Sequence, residues 1–303
     1  MNPIQFATEK LVRTGLRGGF KTPGRLPIPL KWLAAAMNAG APLFKTHPQS
    51  RVEYLELGTC MCALVRPASA PTDQVLLMMH GGAFFAGSLD THLPLASELA
   101  VRCNARVFLL DYRLAPQHPY PAALEDGIAA HQALLDLDID PRNMTWVGDS
   151  AGGAHVLSMA IYARNEGIPL PAGLVFISPF VDMTLTASSL QTKAKADPML
   201  SVNVLKRGIE AYYSSEEAES PEASPVFAEL DGLPPMLIQC GSDEILLDDS
   251  LLLERRAREA GVQVECTVHE GMWHNFQMFN AYVEKAEKAL WAIADFVRRG
   301  EKT

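Results

Sequence analysis

Five apolar runs recur along the 303-residue chain: QVLLMMH (Gln74–His80), ARVFLLDY (Ala105–Tyr112), MTWVG (Met144–Gly148), GLVFIS (Gly173–Ser178) and PMLIQCG (Pro235–Gly241). Each is short and nearly continuous, as expected of a strand buried on both faces. Helical patterns separate or follow them at Leu93–Val101, Ala122–Leu137, Ala151–Asn165, Leu246–Ala260 and Ala281–Arg298. Strand alternating with helix requires a mostly parallel sheet with helices on both faces. VEYLEL (Val52–Leu57) and MCALVRP (Met61–Pro67) read as a hairpin across Gly58-Thr59-Cys60, and VQVECTVHE (Val262–Glu270) closes the series. The expectation is an α/β fold with an eight-stranded, mostly parallel mixed sheet.

Two stretches break the rhythm. Residues 1–50 carry short helical patterns punctuated by prolines and read as an appended cap segment, leaving 51–303 as the main unit. Between Pro179 and Leu233 no strand pattern occurs, so 179–233 reads as an insertion folding beside residues 1–50 over one end of the sheet; its acidic run Ser214–Pro225 reads as a solvated loop. Residues 1–50 hold seven basic side chains against Glu9, a net of +6, so the rest of the chain carries −15 within the total of −9. An acidic chain is a poor match for nucleic acid. The basic segment is expected to lie on the acidic body, with an anionic lipid surface as the alternative. Cys60, Cys62, Cys103, Cys240 and Cys266 show no paired CxxC spacing, which argues against structural zinc and for reduced core thiols. No apolar run is long enough for a membrane span, and Met1–Thr8 lacks the pattern of a signal peptide, so a reducing, cytoplasmic location is expected.

In open α/β sheets functional groups gather beyond the carboxyl ends of the strands. Four of the strand-like runs, those ending at His80, Gly148, Gly241 and Glu270, lead into residues suited to acyl transfer. Gly148-Asp149-Ser150-Ala151-Gly152 is a G-x-S-x-G turn between a strand and a helix, which would expose Ser150 as a nucleophile; the plain alternative is a Gly-rich loop with Ser150 as a helix cap. A serine hydroxyl needs an adjacent base, and of eight histidines His274 sits on the loop after the last strand. The base needs a carboxylate to orient it. Asp243 follows the penultimate strand and is favoured over Glu244, expected to point the other way, over Asp248 and over Asp182, the main competitor. Gly81 and Gly82 in HGGAF, with the amide of Ala151 at a helix start, are candidate donors to an oxyanion.

Four stretches, HGGAFFAGS, DYRLAPQHPYPAALEDG, VGDSAGGAHV and GSDEILLDD…GMWHNF, together resemble the hormone-sensitive lipase-like carboxylesterases, the bacterial family IV esterases of the α/β-hydrolase fold. The resemblance spans most of residues 75–280. It implies a triad of Ser150, Asp243 and His274, an oxyanion hole of Gly81, Gly82 and Ala151, and an N-terminal helical cap. Two departures stand out. The family often has Asp-Pro-Leu-x-Asp around the acid, where this chain reads Asp243-Glu244-Ile245-Leu246-Leu247-Asp248, and many members have His-Gly-Phe where it reads His274-Asn275-Phe276.

The resulting expectation is a carboxylesterase for short- to medium-chain acyl esters, acting through an acyl-enzyme with no metal or organic cofactor. Phe84, Phe85, Trp273 and Trp32 are expected to line the pocket. An acyltransferase or amidase on the same triad, or a ligand-binding receptor on the hydrolase scaffold, are the alternatives. The expected partner is a small-molecule ester; self-association is left open.

Overall fold

A computed structural model describes residues 3–68, 72–213 and 218–300, so Ser214–Glu217 of the expected acidic loop lie outside the described residues. The N-terminal segment forms α1 (Pro3–Leu16), a wider π turn over Arg17–Lys21, α2 (Thr22–Arg25) and α3 (Leu30–Asn38). The body then runs β1 (Ser50–Leu57), β2 (Cys60–Pro67), β3 (Val75–Met79), α4 (Leu89–Cys103), β4 (Arg106–Leu110), α5 (Ala122–Asp136), β5 (Met144–Asp149), α6 (Ala151–Glu166) and β6 (Gly173–Ile177). The insertion contributes α7 (Ser189–Thr192) and α8 (Val202–Tyr212), and β7 (Met236–Gly241), α9 (Leu247–Glu259), β8 (Val264–His269) and α10 (Glu284–Gly300) complete the chain.

All eight expected strands are present in one sheet, in the order β1-β2-β4-β3-β5-β6-β7-β8. β2 runs antiparallel to β1 and to β4, and the remaining neighbours are parallel. Every residue of β3, β5, β6 and β7 is buried. Side chains alternate between the faces: Leu77, Trp146, Phe176 and Ile238 pack under α5 and α6 with Leu134 and Leu157, while Leu76, Val147, Val175 and Leu237 face Leu99 of α4 and Leu290 and Ile293 of α10.

Helix α4 starts four residues earlier than its apolar periodicity suggests. Ser88 and Thr91 form a reciprocal capping box, with the Ser88 hydroxyl accepting from the Thr91 amide and the Thr91 hydroxyl accepting from the Ser88 amide. These bonds satisfy the first-turn amides and carry the helix back to Leu89, ahead of Pro94.

Residues 3–50 lie against the insertion. Lys21 Nζ donates to the carbonyls of Ala194 (2.6 Å) and Asp197, and Asn203 Nδ2 donates to Gly24 O (2.8 Å). Leu33 of α3 is fully buried with Leu190, Leu200 and Leu205 of the insertion and with Phe84 and Phe180 of the body. Leu16 of α1 joins a separate cluster with Trp273, Phe276, Phe279 and Val283. The carboxyl ends of β3, β5, β7 and β8 open beneath these two segments.

Candidate active site

The turn after β5 is built by its glycines. A Cβ on Gly148 would stand 2.3 Å from the Gly152 carbonyl oxygen, and one on Gly152 would stand 2.1 Å from that of Met79, distances that no side chain tolerates. This close approach throws Ser150 into a left-handed conformation (φ 52°, ψ −122°) seldom adopted by a residue with a side chain. The Ser150 amide donates to Ile177 O, and its carbonyl accepts from Gly153 and Phe180, each at 2.9 Å. With its backbone held on both sides, Ser150 presents its hydroxyl to the cavity above the sheet.

His274 lines the same cavity, and both its side chain and that of Asn275 are almost wholly buried. The carboxylate facing its Nδ1 belongs to Glu244, whose Oε2 lies 3.6 Å away. Glu244 is fully buried and Oε2 also accepts from Ser178 Oγ at 2.8 Å. Among the described residues His274 Nδ1 has no hydrogen-bond partner, and Glu244 Oε2 is the carboxylate oxygen that faces it. Hydrogen bonds at catalytic sites are often long before substrate binds. Burial pushes the Glu244 pKa up, opposed by the adjacent imidazole and the Ser178 hydroxyl.

Asp243 does not take the expected place. Its carboxylate turns outward and pairs with Arg13 of α1 at 2.8 Å. The chain leaves β7 with consecutive side chains on opposite sides, so only one of the two neighbouring acids can reach the imidazole, and it is Glu244. The other rivals are occupied elsewhere: Asp248 accepts from Ser188 Oγ and the Ser189 amide, and Asp182 Oδ1 accepts from the Thr184 amide.

The loop after β3 also departs from expectation. The Gly81 amide donates to Asp149 Oδ1 at 3.0 Å, so it is withdrawn from any oxyanion. Gly82 and Ala83 follow in positive-φ conformations (138° and 51°), and within the described residues their amides, like that of Ala151 at the start of α6, make no hydrogen bond. Ala83 was not anticipated as a candidate, because nothing in its side chain marks it; what it offers is a free backbone amide. Asp149 is the hub that fixes this loop. Fully buried, it accepts from the Gly81 amide, from Asn275 Nδ2 (2.6 Å) and through its contact with His92 Nε2 (3.3 Å). Burial alone would raise its pKa, but His92 and the Gly81 amide hold it below the usual carboxylate value. Asn275, in the left-handed region at φ 52°, thus ties the histidine loop to the residue before the serine.

A family model described as alpha/beta hydrolase fold matches residues 76–278. An esterase of Acinetobacter venetianus is 38% identical, over 96% of this chain and 95% of its own length. The structure of the esterase EstE5 soaked with p-nitrophenyl butyrate is similar with a TM-score of 0.92 at 36% identity, covering 98% of this chain and 99% of that one. A hormone-sensitive lipase from a metagenome library matches at 0.91 and 35%, over 97% and 98%. The chain belongs to the hormone-sensitive lipase-like esterases of the α/β-hydrolase fold. It is a carboxylic ester hydrolase.

The cavity of this esterase has a volume of about 590 Å³ and is walled mainly by apolar residues of α1, the π turn and α3, among them Val12, Leu16, Phe20 and Met37, with Leu205 from the insertion and Met278 and Phe279 beyond the histidine loop. None of the four aromatic residues expected to line it does so. Phe84, Phe85 and Trp273 are buried in the packing beneath and beside the site, and Trp32 is 62% exposed on the outside of α3. Phe84 stacks on Tyr212 with centroids 4.2 Å apart, which anchors the loop after β3 to α8.

Below that loop lies a buried aromatic cluster containing His155, whose ring meets those of Phe84, Tyr112 and Tyr212 edge-on at 5.0–5.5 Å. Neither of its ring nitrogens has a partner among the described residues, and burial pushes its pKa down to about 3. The unfolded chain takes up a proton at this side chain near pH 6.5, and the folded chain does not until about 3. Its contribution is therefore intact above pH 6.5 and is lost as pH falls, by about 2 kcal/mol at pH 5. His155→Leu should narrow the stability difference between pH 7.5 and pH 5 by about that amount in urea unfolding; equal pH sensitivity in variant and parent would contradict the buried neutral ring.

Proposed function

We propose that this esterase hydrolyses short- to medium-chain acyl esters through Ser150, His274 and Glu244. The single observation that carries the triad is the buried Glu244 carboxylate facing Nδ1 of His274, with Ser150 on the same cavity at a strained strand-to-helix turn. Ser150 Oγ attacks the ester carbonyl while His274 Nε2 takes its proton. Glu244 holds the tautomer with the proton on Nδ1 and stabilises the imidazolium. The amides of Gly82, Ala83 and Ala151 face the tetrahedral oxyanion, where donors fixed in advance cost no reorganisation. The imidazolium then protonates the leaving alcohol, and the same base activates water to release the acid.

Residues 3–50 serve as a cap forming the outer wall of the acyl pocket. Gly15 and Gly19 are four residues apart and both line the cavity, and a Cβ on either would meet no atom within 4 Å. The missing side chains therefore leave room along this wall. A series of p-nitrophenyl esters tests the reading: kcat/KM should be best between roughly two and eight acyl carbons and fall for long chains, since overfilling a packed pocket is costly. Gly15→Leu should lower kcat/KM for the octanoate about tenfold relative to the acetate, in line with the 1–3 kcal/mol discriminated per methylene in an apolar pocket. The substitution favours the helix by roughly 1 kcal/mol, so a loss would not reflect an unravelled α1. An unchanged chain-length profile would remove α1 from the acyl pocket.

A further inference from the structure

Arg13 is the one cap side chain that reaches both loops carrying the catalytic acid and base among the described contacts. Its Nη2 donates to Asp243 Oδ2 at 2.8 Å and to the Gly271 carbonyl, and its guanidinium lies 4.9 Å above the centre of the Trp273 ring. Asp243 immediately precedes Glu244, and Gly271 and Trp273 precede His274. The two loops are themselves joined, the Asp243 amide donating to Met272 O (2.8 Å) and the Gly271 amide to Ser242 Oγ (2.8 Å). Arg13 therefore grips a preassembled acid–base unit from the cap side. The planar guanidinium suits this combination of carboxylate, carbonyl and ring face better than a lysine ammonium would.

We infer that Arg13 and Asp243 form a latch that fixes the distance between the cap wall and the triad, with Arg13 a positioning residue for substrate. The inference rests on the esterase reading above. Arg13 lies on the same helix as Val12 and Gly15, which line the cavity, and the next turn brings Leu16 against Trp273 and Phe276. Releasing the guanidinium frees α1 to move away from the histidine loop. The acid–base unit keeps its own backbone ties, so the chemistry at Ser150 persists while the wall met by the distal acyl carbons is lost. The effect belongs in KM for esters long enough to reach α1.

The test compares p-nitrophenyl acetate and hexanoate, with kcat normalised to active sites titrated by an organophosphate. Arg13→Gln is expected to raise KM for the hexanoate about tenfold, with a smaller change for the acetate and kcat per titrated site within about twofold. Asp243→Asn should do the same from the other side of the pair. The double variant should be no worse than Arg13→Gln alone, since that substitution already removes the pair with Asp243 as well as the contacts of Arg13 with Gly271 and Trp273. Arg13→Lys should restore part of the affinity, and Arg17→Gln, which removes an exposed cap charge, should leave both parameters unchanged. A hexanoate KM within twofold of the parent in Arg13→Gln, multiplicative losses in the double variant, or an equal fall in kcat for both esters would each overturn the latch. Turnover of both esters by the unsubstituted chain tests the esterase reading separately.

Discussion

Ser150→Ala is expected to lower kcat for ester hydrolysis by about 10⁵-fold while leaving the fold intact. Serine and histidine of such a triad act as one unit, so removing either loses nearly all of the covalent route and leaves only the contribution of binding and the oxyanion donors. The substitution removes one oxygen atom. The strained backbone at φ 52° is held by hydrogen bonds through the Ser150 amide and carbonyl, which alanine retains. Circular dichroism and thermal unfolding should therefore match the parent. A variant retaining a tenth of the parental kcat would remove Ser150 from the mechanism.

Glu244→Gln is expected to lower kcat by about 10³–10⁴-fold, equivalent to roughly 4–5.5 kcal/mol of transition-state stabilisation. An amide in that place cannot compensate the imidazolium, and its NH₂ can face Nδ1 and favour the wrong tautomer. Asp243→Asn, by contrast, should leave kcat within about twofold, because that carboxylate is turned to Arg13 rather than to the ring. Asp182→Asn should also leave kcat near the parental value, since its carboxylate caps the Thr184 amide. Measured kcat values in which Asp243→Asn is the most damaging of the three would return the role of acid to Asp243.

The contrast between Asp243 and Glu244 shows where a sequence stops being legible. Strands β3, β5, β6 and β7 were readable because burial on both faces requires apolar runs whatever the neighbours are. That Ser150 and His274 lie beyond strand ends on one cavity was readable because their places follow from strand order and from the glycines the turn requires. Which of two adjacent acids faces inward depends on a single backbone rotation after β7, and composition does not encode it. A signal was nonetheless present: Glu244 and Asp248 reproduce the four-residue separation of the two acids in Asp-Pro-Leu-x-Asp, and Asp243 does not.

The loop after β3 poses a similar problem. Gly81 and Gly82 look equivalent in sequence, and only the buried Asp149 carboxylate, brought in from β5, distinguishes the occupied amide from the free one. The pocket was least legible. Aromatic residues near the catalytic motifs are obvious candidates, yet Phe84, Phe85 and Trp273 are spent on packing. Much of the cavity wall comes instead from the N-terminal segment, far from the catalytic motifs in sequence, whose contribution at Gly15 of α1 and Gly19 of the π turn is the absence of a side chain. Long-range packing decides such a surface, and local patterning does not report it.

Covalent trapping tests the central claim most directly. Incubation with diethyl p-nitrophenyl phosphate, followed by peptide mass mapping, should show one diethylphosphoryl group per chain on the peptide containing Ser150, with one equivalent of p-nitrophenol released and ester hydrolysis abolished in proportion. Glu244→Gln should label far more slowly than Asp243→Asn. Labelling at another residue, or continued ester turnover by a chain fully modified at Ser150, would contradict the account.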